Sequence, residues 1–366
     1  MNEIANQMVI SFEEKNGRPI LINDWCHFYT FDLMGDLGFG KTYGQLQTGE
    51  THPAIDKVQK FLRAGVIAVQ VLWLVNIGQH MPGGVDPMRT LREWAENQLA
   101  SRAKLRDTEK DTVHEKDLMS YVYESQRQVQ SRFPMTDKDI AEDAVTLQIA
   151  GSDTSYSVLV HACYYLATHK QLQDTIRSEI LPTFESEDPT SAPTWAKLAS
   201  TQTCPYLDAT INEILRLHPP VPQGLFRQTP PNHSIMIAGY EIPADTIVSC
   251  PTYTIQRDER NFAEPNSFIP ERWLDKSHPQ SKSEMIMDRK AFYPFSIGPM
   301  SCAGKYLAIM EIKLFVAKVL RRFEISFPAE KDTSTSQADR AAKLKRETKD
   351  LLTLWVGDVD VCLTPI

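Results

Sequence analysis

The sequence predicts a mainly α-helical fold with a minor β-sheet region, on three observations. From Thr136 to about His169 apolar residues recur at helical spacing without a proline, a run of roughly 30 residues and so roughly 45 Å of helix. A second amphipathic run, from about Lys305 to Arg322, follows a glycine-bracketed loop that holds Cys302. Alternation of period two is confined to the last third of the chain, where short apolar segments are separated by turn residues.

The elements follow in chain order. Asn23 can cap a helix that runs through Phe31 to Leu37 and stops at Gly38 and Gly40. A charge-poor stretch from Ala64 to Val85 is closed by Met81-Pro-Gly-Gly and followed by a polar helix from about Pro87 to Lys104. Thr136 is the predicted cap of the long helix, with Asp137 and Asp139 in its first turn. The next helix, from about Gln171, is expected to end near Pro182, before a surface loop from Ser186 to Pro193. A helix from about Tyr206 stops at His218-Pro219-Pro220. Residues 234–238 and 246–250 alternate as short strands about a Gly239-Tyr240 turn, and residues 262–273 form an ordered meander. The charged segment 330–350 is a solvated loop or short surface helix, and strands resume over 352–361.

Composition narrows the function classes. Hydrophobic residues at 42% and charged residues at 23% are those of an ordinary globular chain. The length of 366 residues by itself suggests about two domains. A net charge of -8 argues against nucleic acid as the partner. Six scattered cysteines without a CxxC pair fit neither a disulfide scaffold nor a zinc cage and point to a reducing compartment. No signal-peptide core opens the chain and no run of 18 apolar residues follows; the segment Val66 to Ile77 carries Gln70 and Asn76 and suits a buried or interfacial helix.

Three clusters carry chemistry. Phe295-Ser-Ile-Gly298-Pro-Met300-Ser-Cys302-Ala-Gly304 presents one thiol in a loop whose glycines allow close approach, and the helix after it aims its amides back at the sulfur, which favours a thiolate. Ala150-Gly151-Ser152-Asp153-Thr154-Ser155 places glycine and hydroxyls inside the long helix, where a hydroxyl can take a backbone carbonyl and open a groove. An acid beside a hydroxyl can relay protons there. Glu213 and Arg216, at i and i+3, share a helix face, and Arg272 can complete a charge-paired clamp with them.

In this order and at these separations the clusters resemble the cytochrome P-450 family of haem-thiolate monooxygenases. Ala150 to Ser155 is similar to its oxygen-activation motif, Glu213-Ile-Leu-Arg216 to its ExxR, Pro270-Glu-Arg272 to its PER element, and Phe295 to Gly304 to its haem loop. Residues 217–222 look closest to fungal microsomal members that oxidise secondary metabolites. The resemblance implies one partial catalytic domain over residues 1–366, with the family fold lacking its N-terminal strands and early helices. It implies heme b as cofactor, with Cys302 as the axial iron ligand and Phe295, Gly298, Gly304 and the propionate-binding Arg227 around it. A cysteinate ligand pushes electron density onto iron and favours O–O cleavage. Thr154 would hydrogen-bond reduced dioxygen and Asp153 would feed it protons. Glu213, Arg216 and Arg272 would lock the core on the haem side, and Leu225, Phe226 and Ile149 would line the distal pocket.

The implied partners are a hydrophobic small-molecule substrate and a separate reductase that carries electrons from NADPH. The implied location is the cytoplasm or the cytoplasmic face of the endoplasmic reticulum, with peripheral membrane contact and no anchor in this chain. Two features depart from the pattern. Position 300, usually an arginine on a haem propionate, is Met300, at an expected cost of about 1.5–3 kcal/mol. None of the six tryptophans has an arginine four residues on, so the family's Trp-x-x-x-Arg helix is not found. An inactive truncated remnant or a haem-free binding module is the alternative. A cysteine-dependent hydrolase is a third, with His218 or His278 as the nearest histidine bases.

Overall fold

The computed structural model describes residues 1–53, 92–100, 117–127, 135–185, 197–198, 204–329 and 336–366. Helix α1 (Asn2–Lys15) opens the chain and buries Ile4, Ala5, Met8, Val9 and Phe12. That helical-period face is present in the sequence but was not among the expected elements. Asn16 ends α1 in the left-handed conformation, a position asparagine tolerates better than most residues.

Helix α2 (Ile22–Phe39) begins one residue before its expected cap: Leu21 is the N-cap and Asn23 lies in the first turn. The Asn23 amide instead donates to the Val356 and Gly357 carbonyls, both at 3.2 Å, and accepts from the Val359 amide at 2.9 Å. A buried asparagine is worth more pinning a distant loop than capping its own helix, because those loop groups would otherwise be unpaired. Gly38 lies inside α2, and Gly40 closes it in the left-handed conformation. Residues apolar on nearly every side make α2 a core helix.

The long helix α3 (Asp137–Thr168) starts on a capping box, with the Thr136 hydroxyl accepting from the Asp139 amide and the Asp139 carboxylate accepting from the Thr136 amide. It packs along α2, and Gly151 makes the approach possible: a Cβ there would lie 2.6 Å from Met34 Sδ. Helix α4 (Lys170–Glu185) runs past Pro182 rather than ending there. Helix α5 (Pro205–Leu217) starts with proline at its first position and stops at His218, as expected.

Short two-stranded ladders follow. Strand β2 (Arg227–Gln228) pairs with β5 (Ile247–Val248), and β3 (Ile235–Ile237) pairs with β4 (Tyr240–Ile242), all antiparallel. Helix α6 (Lys305–Arg322) leads into β6 (Phe323–Ser326). The charged segment contains a helix, α7 (Gln337–Glu347), capped by Ser336 and Asp339, and then the hairpin β7 (Lys349–Leu351) and β8 (Thr353–Trp355). Strand β9 (Asp360–Pro365) pairs with β6 on one side and with β1 (Ile20–Leu21) on the other. The sheet is therefore not confined to the last third, since its edge comes from the first turn region of the chain.

One apolar cluster joins α1, α2, α3, α4, α5, α6 and the β1-β9-β6 sheet, and a smaller one gathers Phe39, residues of the helical stretch 92–100, Met119 and the start of α3. Residues 64–85 and 186–193 lie outside the described residues, as do 87–91 and 101–104 of the expected helix 87–104. Among the described residues no helix is long and apolar enough to cross a membrane.

Candidate functional site

The expected clamp residues meet in full burial. Glu213, Arg216 and Arg272 are each 0% exposed. One turn of α5 brings Arg216 Nε and Nη2 to the two Glu213 oxygens, both at 2.9 Å. Arg272 Nε reaches Glu213 Oε1 at 3.1 Å from a 3₁₀ turn over Pro270–Trp273. Two donors that sequence reasoning did not assign complete the carboxylate's shell: Trp273 Nε1 at 2.8 Å and the Ile269 amide at 2.9 Å. Arg216 spends its remaining donors on the Gln256, Pro265 and Ser267 carbonyls. A buried ion cluster is tolerable only when every lone pair and N–H is used in this way.

A hydrogen-bond path leads from this clamp to Cys302. The carbonyl of buried Gln256 takes Arg216 Nη1 at 2.9 Å, and its side-chain oxygen takes the Tyr293 amide at 3.1 Å. The Tyr293 carbonyl then accepts from Ser296, and the Phe295 carbonyl accepts from the Cys302 amide at 2.8 Å. The loop between is tightly wound, with Ser296 at φ +60° and Gly298 at φ +77°. A positive φ at a serine costs about 1–2 kcal/mol, which the loop's bonds must hold. Gly304 differs from expectation: its φ is -82°, and a Cβ there would meet only Cys302 Sγ at 3.8 Å. That is an ordinary van der Waals distance, so neither the backbone conformation nor crowding demands glycine at this position.

Cys302 is an exposed free cysteine, whereas Cys26, Cys163 and Cys204 are buried. Phe295 is half-buried against the main core, with the Lys305 ammonium 5.9 Å from its ring. Ile297 is 72% exposed, Met300 67% and Tyr306 80%. Leu225 and Phe226, on the segment before Arg227, are exposed as well. That segment lies against Cys250, whose backbone carbonyl leaves no room for a Cβ at Gly224. Arg227 is exposed, with Nη1 on the Phe226 carbonyl at 3.0 Å. Ile149 packs against the smaller apolar cluster.

In α3 the hydroxyls of Thr154 and Ser152 donate to the carbonyls four residues back, at 2.8 and 2.7 Å, and Ser157 donates to the Thr154 carbonyl at 3.0 Å. Ser155 instead reaches across to Oε1 of Glu311 on α6. Glu311 lies six residues into α6, about 9 Å along the helix that starts just after Cys302, and its bond to Ser155 joins α3 to α6. Burial pushes its carboxyl up to about 8, partly opposed by the Ser155 hydrogen bond. Burial pushes Asp153 up to about 7, and its Oδ1 is buried without a hydrogen-bond partner. Near neutral pH Glu311 is therefore largely protonated and Asp153 about half so. Glu311 was missed because nothing in the sequence ties it to a residue 156 positions earlier; the only signal was a lone acid amid the apolar face of α6.

The histidines proposed as bases lie elsewhere. His218 is half-buried and stacks on His161, with ring centroids 3.9 Å apart, and pairs with the Tyr165 hydroxyl at 2.8 Å. His278 packs edge-on against Tyr206. Among the described residues neither is hydrogen-bonded to Cys302, so the pairing a cysteine nucleophile needs is not formed.

An open thiol on a tightly wound turn, beside the exposed apolar Ile297 and Met300, fits the needs of haem: sulfur for iron and apolar cover for the ring, with the exposed Arg227 as the candidate cation for a propionate. Met300 supplies no second cation. Cys302 would be the iron ligand, Phe295 and Ile297 would cover the ring, and Arg227 would pair with a carboxylate.

Comparison with known proteins places these features in context. The family model described as Cytochrome P450 matches residues 1–353. The chain is 31% identical over 362 residues to the cytochrome P450 monooxygenase phqL of Penicillium fellutanum, covering 98% of this chain and 59% of that protein. It is 32% identical over 349 residues to the cytochrome P450 monooxygenase lcsK of Purpureocillium lilacinum, covering 95% of this chain and 59% of that protein. The chain thus spans about three fifths of the length of these relatives. The crystal structure of a cytochrome P450 (CYP102L1) superposes with a TM-score of 0.76 at 18% identity, covering 100% of this chain and 74% of that one.

Proposed function

The chain belongs to the cytochrome P450 family, and on that premise we propose that it is a haem-thiolate monooxygenase that inserts one oxygen atom from dioxygen into a hydrophobic small molecule of secondary metabolism. The observation that carries this reading is Cys302: an exposed thiol on a tightly wound loop, strained at Ser296 and turned at Gly298. Haem bound there would supply the activation of dioxygen, with electrons drawn from NADPH through a separate reductase.

The chain's own residues have distinct tasks in this scheme. The clamp holds the meander 256–273 against α5, and Gln256 passes that rigidity to the thiol loop. Thr154, half-buried in α3, offers a hydroxyl that donates to the Ala150 carbonyl and could turn from it toward a bound ligand. Both acids are buried, and at neutral pH Glu311 keeps its proton while Asp153 is about half protonated. Leu225 and Phe226 offer apolar surface to substrate beside Arg227.

The exposure of Met300 beside Cys302 favours a second reading, a haem-free binding module. One experiment separates the two. Purified chain is given haem, reduced and exposed to carbon monoxide; the monooxygenase reading expects the red-shifted thiolate band, and its absence leaves the binding module.

A further inference from the structure

We propose that Gln256 is a positioning residue for Cys302: its side-chain amide couples the C-terminal end of α5 to the start of the thiol loop and thereby sets where the sulfur stands. This deepens the haem-thiolate reading and rests on it. The last carbonyls of a helix have no intrahelical partner, and α5 stops abruptly at His218-Pro219-Pro220. Residues 40 positions away take up that end. Gln256 Nε2 donates to the Leu215 and Arg216 carbonyls, both at 3.0 Å. Arg257 Nε and Nη2 donate to the Leu217 carbonyl at 3.1 and 2.7 Å.

Gln256 differs from Arg257 at its other end. It is 0% exposed, and its Oε1 accepts the Tyr293 amide at 3.1 Å. The orientation of the amide is dictated by its partners, because carbonyls need the NH2 and the Tyr293 N–H needs the oxygen. Its own backbone carbonyl meanwhile receives Arg216 Nη1 at 2.9 Å. One side chain thus joins the clamp helix to the loop nine residues ahead of Cys302. The path then closes through Ser296 to Tyr293 and Cys302 to Phe295. Removing the amide leaves the Tyr293 N–H and two helix carbonyls buried and unpaired.

The test has two readouts on the full chain. In haem-free protein, amide hydrogen exchange over residues 292–304 should be about tenfold faster in Gln256→Leu, equivalent to about 1.4 kcal/mol, while residues 156–166 of α3 keep their protection. Gln256→Glu retains an acceptor for Tyr293 but sets an oxygen against the Leu215 and Arg216 carbonyls. It should loosen the end of α5 and spare residues 292–304, and it keeps the test open if the leucine variant does not fold. In haem-loaded protein, Gln256→Leu should split the reduced carbon-monoxide spectrum between thiolate-ligated and thiol-ligated forms, whereas loss of stability alone would lower total haem and leave that ratio unchanged. Unchanged exchange over 292–304, or raised exchange with an unchanged ratio, overturns the proposal. If the wild-type chain takes up no haem, the monooxygenase reading has failed, and the exchange result still decides whether Gln256 holds the loop.

Discussion

The clamp around Glu213 and the loop around Cys302 are built on opposite terms. In the clamp three charged side chains are fully buried and Glu213 accepts from two arginines, a tryptophan and a backbone amide. In the loop the polar atom of interest is left open, its neighbours Ile297, Met300 and Tyr306 are apolar and exposed, and backbone strain is tolerated at Ser296. A polar group whose every bond is satisfied inside the molecule has nothing left for a ligand. An exposed thiol among apolar side chains has surface and valence to offer, so the first region is structure and the second is site.

The sharpest way to break that contrast is Cys302→Ala. Complete loss of the thiolate band is expected, with the midpoint of chemical unfolding unchanged; a variant that keeps the band places the iron ligand elsewhere. Glu213→Ala should do the reverse, destabilising the fold by about 3–5 kcal/mol by leaving two buried guanidiniums unpaired, read from denaturant unfolding. Met300→Arg should sharpen the loop's role by tightening haem binding, by about 1.5–3 kcal/mol if the new cation reaches a propionate, measured by haem titration; an unchanged affinity means position 300 faces away from the group.

Titration distinguishes the buried acids of α3 and α6 from both. Asp153 and Glu311 have ordinary values of 3.8 and 4.5 and are raised to about 7 and about 8 by burial. Between those limits the folded chain holds protons that the unfolded chain has released, so stability is greatest at the acid end and falls as pH rises toward 8. Glu311→Gln should remove one proton's share of that slope, about 1.4 kcal/mol per pH unit. His161, lowered from 6.5 to about 4 by burial, acts in the opposite sense: its contribution is complete above 6.5 and is lost as pH falls through 4. The smallest effect is expected at Gly298→Ala. A Cβ there meets nothing within 4 Å, so only the strain of φ +77° remains, about 1–2 kcal/mol.

What the sequence by itself determined was local. The Thr136–Asp139 cap, the end of α5 at His218 and the bounds of α6 depend on neighbours within a turn, and so does the Glu213–Arg216 pair at i and i+3. The hydroxyls inside α3 and the cysteine between glycines were legible for the same reason. Asn23 was misjudged because its partners at residues 356, 357 and 359 lie at the far end of the chain. Only the tertiary structure decided that Trp273 joins the clamp, that Gln256 links clamp to loop, and that Ser155 turns to Glu311 rather than to its own helix. A side chain with several possible partners goes where burial would otherwise strand a polar group. Burial is a property of packed helices, which no stretch of sequence contains.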